Sequence, residues 1–182
     1  MEKTIDIYHW IMPSIRNRSL KELPKNGEYN FRIEKAREQL KMDPVDRDII
    51  IGYVNEFLVG LNMQRVANPH YQPKEGELRR IDYSKINPDS KDDIVWIKFT
   101  KSNYISVIGT SCDISFSQNT INKTTAGIIN QYFNQEWDED DVLIFPLIGI
   151  PEHLFRSDIE SGVGNYLISK GVPILDFYSH NY

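Results

Sequence analysis

Residues 93–116 read DIVWIKFTKSNYISVIGTSCDISF, and the reading of the whole fold starts there. Two runs rich in β-branched and aromatic residues, 94–99 and 104–108, flank the polar tetrapeptide Thr100-Lys101-Ser102-Asn103. Apolar runs of strand length on either side of a short polar turn predict a β-hairpin at the centre of a sheet. Downstream of the hairpin the pattern alternates between helix and strand. Upstream it is mainly helical.

On the downstream side, 124–134 (TTAGIINQYFN) predicts a short helix with Ile128, Ile129, Tyr132 and Phe133 turned inward. The acidic run 136–141 reads as a solvated loop. Residues 141–150 (DVLIFPLIGI) form a near-continuous apolar run, the pattern of a strand buried on both faces. Ser157 is placed to cap a helix over 158–170, Gly171 to stop it, and 172–177 (VPILDF) to form a last strand.

On the upstream side, Asp43 is a candidate N-cap and Pro44 a first helical residue, with Asp46 and Asp48 near the positive helix end. Ile50, Val54, Phe57 and Leu61 then recur at helical spacing, so a helix is predicted over 44–61. A further helix is predicted over 28–41, a loop over 62–76, a strand over 77–83 and a short edge strand over 4–11. The sum is an α/β chain: a mixed β-sheet of about five strands flanked by helices, with a helical N-terminal part. Residues 1–43 read as an N-terminal extension packed on a core domain, 44–182.

The 182 residues are 40% hydrophobic and 12% aromatic, enough for a sizeable core. No run approaches the length of a membrane span, and the first residues lack a signal-peptide pattern, so a cytoplasmic protein is expected. The lone Cys112 excludes an internal disulfide and a cysteine-based zinc site. None of His9, His70, His153 and His180 stands four residues from another, so no metal-binding pair is predicted. Alanine occurs only at 36, 67 and 126, while Ile, Asn, Lys and Tyr abound, as low-GC codon usage would give. Residues 1–90 carry 15 Lys and Arg against 14 Asp and Glu, whereas residues 91–182 carry 6 against 12. Charge separated in this way orients a molecule on approach to a charged partner.

The order of a helix, three meandering strands, a helix and a further strand resembles the core of the PD-(D/E)XK nuclease-like fold over residues 44–150. That family opens its second strand with an aspartate, matched here by Asp93. Its Glu-x-Lys triplet would fall at Gly109-Thr110-Ser111, which offers neither acid nor lysine. The resemblance implies that a nuclease would have to rebuild its site, with Asp113 and Lys123 joining Asp93 around a divalent metal. The strand 104–108 followed by small residues, helix, strand, helix and strand is also similar to a Rossmann-like order, with a nucleotide expected near 109–111. The G-x-G-x-x-G and G-x-x-x-x-G-K-[ST] motifs are both missing, as is the G-x-S-x-G elbow.

Without a catalytic motif, the sequence favours binding over catalysis and no cofactor. Arg65, Lys74, Arg79 and Arg80 lie among tyrosines, a mixture suited to phosphate contact and base stacking. The tail ends in Tyr178 and Tyr182, aromatic where a solvated tail would be polar. These residues are the expected contacts with a protein or nucleoprotein partner. The function expected is a phage or mobile-element accessory, such as an inhibitor of an RNA-guided nuclease (the anti-CRISPR class). The alternatives are a divergent nuclease and a nucleotide-binding α/β enzyme.

Overall fold

The computed structural model of the protein describes residues 28–72, 80–82, 93–111, 113–115 and 122–176. The expected edge strand at 4–11, Cys112 and most of the C-terminal tail lie outside these residues. In chain order the elements are α1 (Glu28–Gln39), α2 (Arg47–Gly60), β1 (His70–Tyr71), β2 (Arg80–Asp82), β3 (Ile94–Thr100), β4 (Ile105–Ser111), β5 (Asp113–Ser115), α3 (Thr125–Tyr132), β6 (Trp137–Pro146) and α4 (Arg156–Ser169). This is a mixed α/β architecture with four described helices.

The hairpin is where the sequence placed it. β3 and β4 pair antiparallel from Ile94↔Ser111 to Phe99↔Ile105. Asn103 takes a left-handed φ of 69° in the turn, a conformation asparagine tolerates better than most residues. Its backbone N–H donates to Thr100 O at 2.9 Å. The register slips after Lys98, so that Ser106 is an extra residue on β4. Such a bulge re-aims one side chain, and Ser106 becomes fully buried with its hydroxyl donating to Asn130 on α3.

The sheet order is β1-β6-β3-β4, with every neighbouring pair antiparallel. This corrects the expected mixed sheet of about five strands. β4 and β6 do run in the same direction, joined through α3, which is the alternation seen in the sequence. β3 lies between them, so each meets an antiparallel neighbour and no Rossmann-like parallel pair forms. The expected last strand, 172–177, shrinks to one parallel bridge, Ile105↔Ile174. It is held by Leu175 N–H to Ile105 O and Asp176 N–H to Ser106 O, each 2.9 Å. The strand expected over 77–83 appears as β2, which pairs with β5 in a separate two-stranded ribbon. The loop expected over 62–76 contains the edge strand β1.

α2 starts three residues later than the sequence suggested. Its N-cap is Asp46, whose carboxylate accepts from Asp48 N–H at 3.0 Å, and not Asp43. Val45 is drawn onto the core and its carbonyl accepts from Asn103, so 43–46 stays non-helical. The apolar stripe behaves as expected: Ile50, Val54, Phe57 and Leu61 are at most 2% exposed. They pack with Val95, Ile97, Phe99, Leu143 and Phe145 of the sheet, and with Ile159, Val163 and Tyr166 of α4. Phe57 and Tyr166 place their ring centroids 5.8 Å apart.

α4, in contrast, starts early. Phe155 is the N-cap and Ser157 lies inside the helix, because the Asp158 carboxylate reaches back to accept from Phe155 N–H at 2.8 Å. Gly171 ends it at φ 81°, as expected for a C-terminal glycine. On α3 Ile129 is buried, but Ile128 and Tyr132 are exposed, contrary to the inward reading. Among the described residues its buried side meets α1 through Ala36, the last segment through Leu175, and β4 through Val107.

The acidic run 136–141 is the largest correction. β6 begins at Trp137 and so includes most of that run. Between Lys98↔Val142 and Thr100↔Trp137, β3 advances two residues and β6 five, so the acidic residues bulge out of the ladder. Arg47 pairs with two of them. It donates to Asp138 at 2.6 Å, to Asp141 at 2.9 Å and to Asn103 at 2.8 Å, and its guanidinium lies 4.0 Å from the Phe99 ring centroid. A planar fork on two carboxylates and an aromatic face is geometry that lysine does not reproduce. His70 of β1 adds a contact of 2.9 Å to the same Asp141 oxygen, which ties the edge strand to the bulge.

Candidate functional site

The described surface has an open cleft of about 810 Å³ at the end of the sheet where β3 starts. Its walls include Ile150, Pro151, Leu154 and Phe155, with Asp93, Glu152 and Arg156 as the charged groups. Two local structures make it. β6 ends at Pro146, and the chain turns through Gly149 at φ 85° before Pro151. α4 then opens at the cap residue Phe155, which points its ring outward. Phe155 is 63% exposed, more than any other large apolar side chain among the described residues. Isolated exposed apolar residues are ordinary. A phenyl ring beside an arginine on the lip of an apolar cleft is the residue pairing that anchors interfaces.

Arg156 Nη1 donates to Asp93 Oδ1 at 2.8 Å across the cleft. Both side chains are more than a third exposed, so the pair contributes little stability. Its effect is geometric: it orients both side chains at the mouth. The Asp93 carbonyl is also taken, by Leu147 N–H at 2.9 Å. The aspartate singled out by the nuclease resemblance therefore precedes β3 as expected, but faces an arginine.

The other expected site residues scatter. Asp113 is in β5, opposite Asp82 in register. Lys123 is exposed in the turn before α3. Arg65 is exposed in the segment after α2, and Arg80 stands in β2 opposite Ser115. Lys74, Arg79, Tyr178 and Tyr182 lie outside the described residues. Among the described residues, no three His, Cys, Asp or Glu side chains are grouped to hold a metal ion.

Gly109-Thr110-Ser111 are strand residues of β4, away from any helix start. The Trp96 indole lies on Gly109, where an added Cβ would stand 2.2 Å from the ring. Thr110 donates to Ile94 O at 2.8 Å, and Ser111 accepts from the Trp96 indole N–H at 3.1 Å. The small residues serve this packing. On the same face Lys98, 8% exposed, sets its ammonium 5.0 Å from the Trp96 ring centroid. Burial lowers its pKa to about 8.

A second displaced group is Glu160 on α4, whose pKa burial raises to about 7 against the pull of Arg156. Sequence reasoning gave it no site role. The residues it missed are Arg47, Phe155 and Arg156. Arg47 is the one base in the acidic stretch 43–48 and gave a faint signal. Phe155 gave none, because an aromatic before a helix reads as core.

Comparison with family models, with curated proteins and with solved structures gives no match. None of the described helices is long and apolar enough to cross a membrane.

Proposed function

We propose that this chain acts by binding a macromolecular partner and not by turning over a substrate. The partner inferred is a nucleic-acid-processing complex, and the chain is its inhibitor or accessory, of the kind that low-GC phages and mobile elements carry. The observation that supports this best is the cleft at the end of the sheet. Phe155 is largely exposed on its lip, and Asp93, the one residue that matched a nuclease position, is engaged by Arg156. An exposed ring beside an oriented ion pair suits a partner's apolar side chain flanked by polar groups.

The test is incubation of the full chain with single- and double-stranded DNA and RNA in magnesium or manganese. No cleavage above buffer is expected. Cleavage that vanishes in Asp93→Ala would overturn the proposal in favour of a divergent nuclease, in which Asp93 would be released from Arg156 to hold the metal.

A further inference from the structure

On the other side of the sheet, between the β3–β4 turn and α3, lies a separate pocket of about 250 Å³. The residues that matter in it are Asn130, Gln135, Trp137, Glu136 and Glu139. Asn130 is 1% exposed, and its carboxamide orientation is fixed. Ser106, the bulge residue of β4, donates its hydroxyl to Asn130 Oδ1 at 2.9 Å. The amide nitrogen is then left with two N–H donors and no partner among the described residues. Buried donors are nearly always paired, and an exception in a pocket wall marks a place for an acceptor.

The neighbouring groups narrow what that acceptor belongs to. Gln135 is held through its Oε1, which accepts from Ser102, and this assigns its NH₂ the donor role as well. The Trp137 indole N–H is committed to Asn122 Oδ1 at 3.0 Å, so its ring contributes an apolar wall. Glu136 and Glu139 bring two carboxylates against one ammonium, that of Lys101, which pairs with Glu136 at 2.5 Å. The balance at the rim is negative and disfavours a phosphate or carboxylate ligand. Amide donors inside, carboxylate acceptors at the rim and an aromatic wall match groups that donate and accept at once, which are hydroxyls. The volume holds about eight waters at roughly 30 Å³ each, the space of a pyranose ring.

We propose that this pocket binds a neutral, hydroxyl-bearing molecule of monosaccharide size, with Asn130 as the buried donor that recognises it. The full ¹⁵N-labelled chain is titrated with glucose, galactose, mannose and N-acetylglucosamine, and separately with inorganic phosphate. At least one sugar is expected to shift the Trp137 indole and Asn130 carboxamide resonances, and phosphate to shift neither. Asn130→Leu is expected to weaken that sugar about 10-fold, the size of one hydrogen bond, while Phe155→Ala leaves it unchanged. Should the leucine variant not fold, Gln135→Ala is expected to weaken the sugar in the same direction. The proposal is overturned if no sugar moves these resonances, if phosphate moves them equally, or if affinity survives in the pocket variant that folds.

Discussion

The two faces of the sheet are built on different principles. One face, from Val95, Ile97, Phe99, Leu143 and Phe145, is closed by α2 and α4 in a continuous apolar cluster. The other carries Ile94, Trp96, Val142 and Ile144 in a much smaller cluster, with Lys98 beside it and α3 covering only one end. A strand alternates its side chains, so one sequence, IVWIKFT, supplies both faces at once. On the first face the inward residues of β3 are all apolar. On the second a tryptophan lies on a glycine and a lysine is held nearly dry. The contrast separates the part of the molecule that supplies stability from the part that tolerates polar groups.

The comparison breaks first at Phe57, the centre of the well-packed face. Phe57→Ala removes a fully buried ring and is expected to cost about 3–5 kcal/mol, read by denaturant unfolding. A midpoint equal to wild type would mean that the two faces do not differ as described. Gly109→Ala probes the second face. Its methyl would enter the Trp96 ring, so a loss of about 1–3 kcal/mol is expected, with a shift of the Trp96 fluorescence. An unchanged spectrum would show that the indole is not seated on Gly109.

The smallest expected effect is at Glu160, on the margin of the first face. Its folded-state pKa of about 7 exceeds the ordinary value of 4.5, so the folded state binds more protons across that window. Its contribution is therefore favourable below pH 4.5 and is lost as pH rises through 7. Glu160→Gln is expected to gain on the order of 1 kcal/mol over wild type at pH 8 and nothing at pH 4.5. A gain that is the same at both pH values would remove the buried-carboxyl explanation.

The sequence made the hairpin and α2 legible because their signals are local: period-two apolar runs around an asparagine turn, and helical spacing at Ile50, Val54 and Phe57. It misjudged the caps by a few residues, since Asp43, Asp46, Ser157 and Phe155 are decided by what the neighbouring chain packs against. It misread the acidic run because the base that pairs with it, Arg47, is 91 residues before Asp138 in the chain but 2.6 Å away in space. Strand order was illegible for the same reason. The alternation of β4, α3 and β6 looks identical whether or not β3 slips between the strands. Of the candidate site only Asp93 was visible in advance, and its partner Arg156 was not, because an exposed ion pair of 63-residue separation leaves no local pattern.

The most direct test of binding at the cleft compares two baits, wild type and Phe155→Asp, in cells that carry the native gene neighbourhood. Phe155 is exposed, and aspartate is a favourable residue at the N-cap it occupies, so the variant should melt no lower than wild type. Quantitative mass spectrometry is expected to show a nucleic-acid-processing protein captured by wild type and lost with Phe155→Asp. Equal capture of every partner by both baits, at matched stability, would contradict the account.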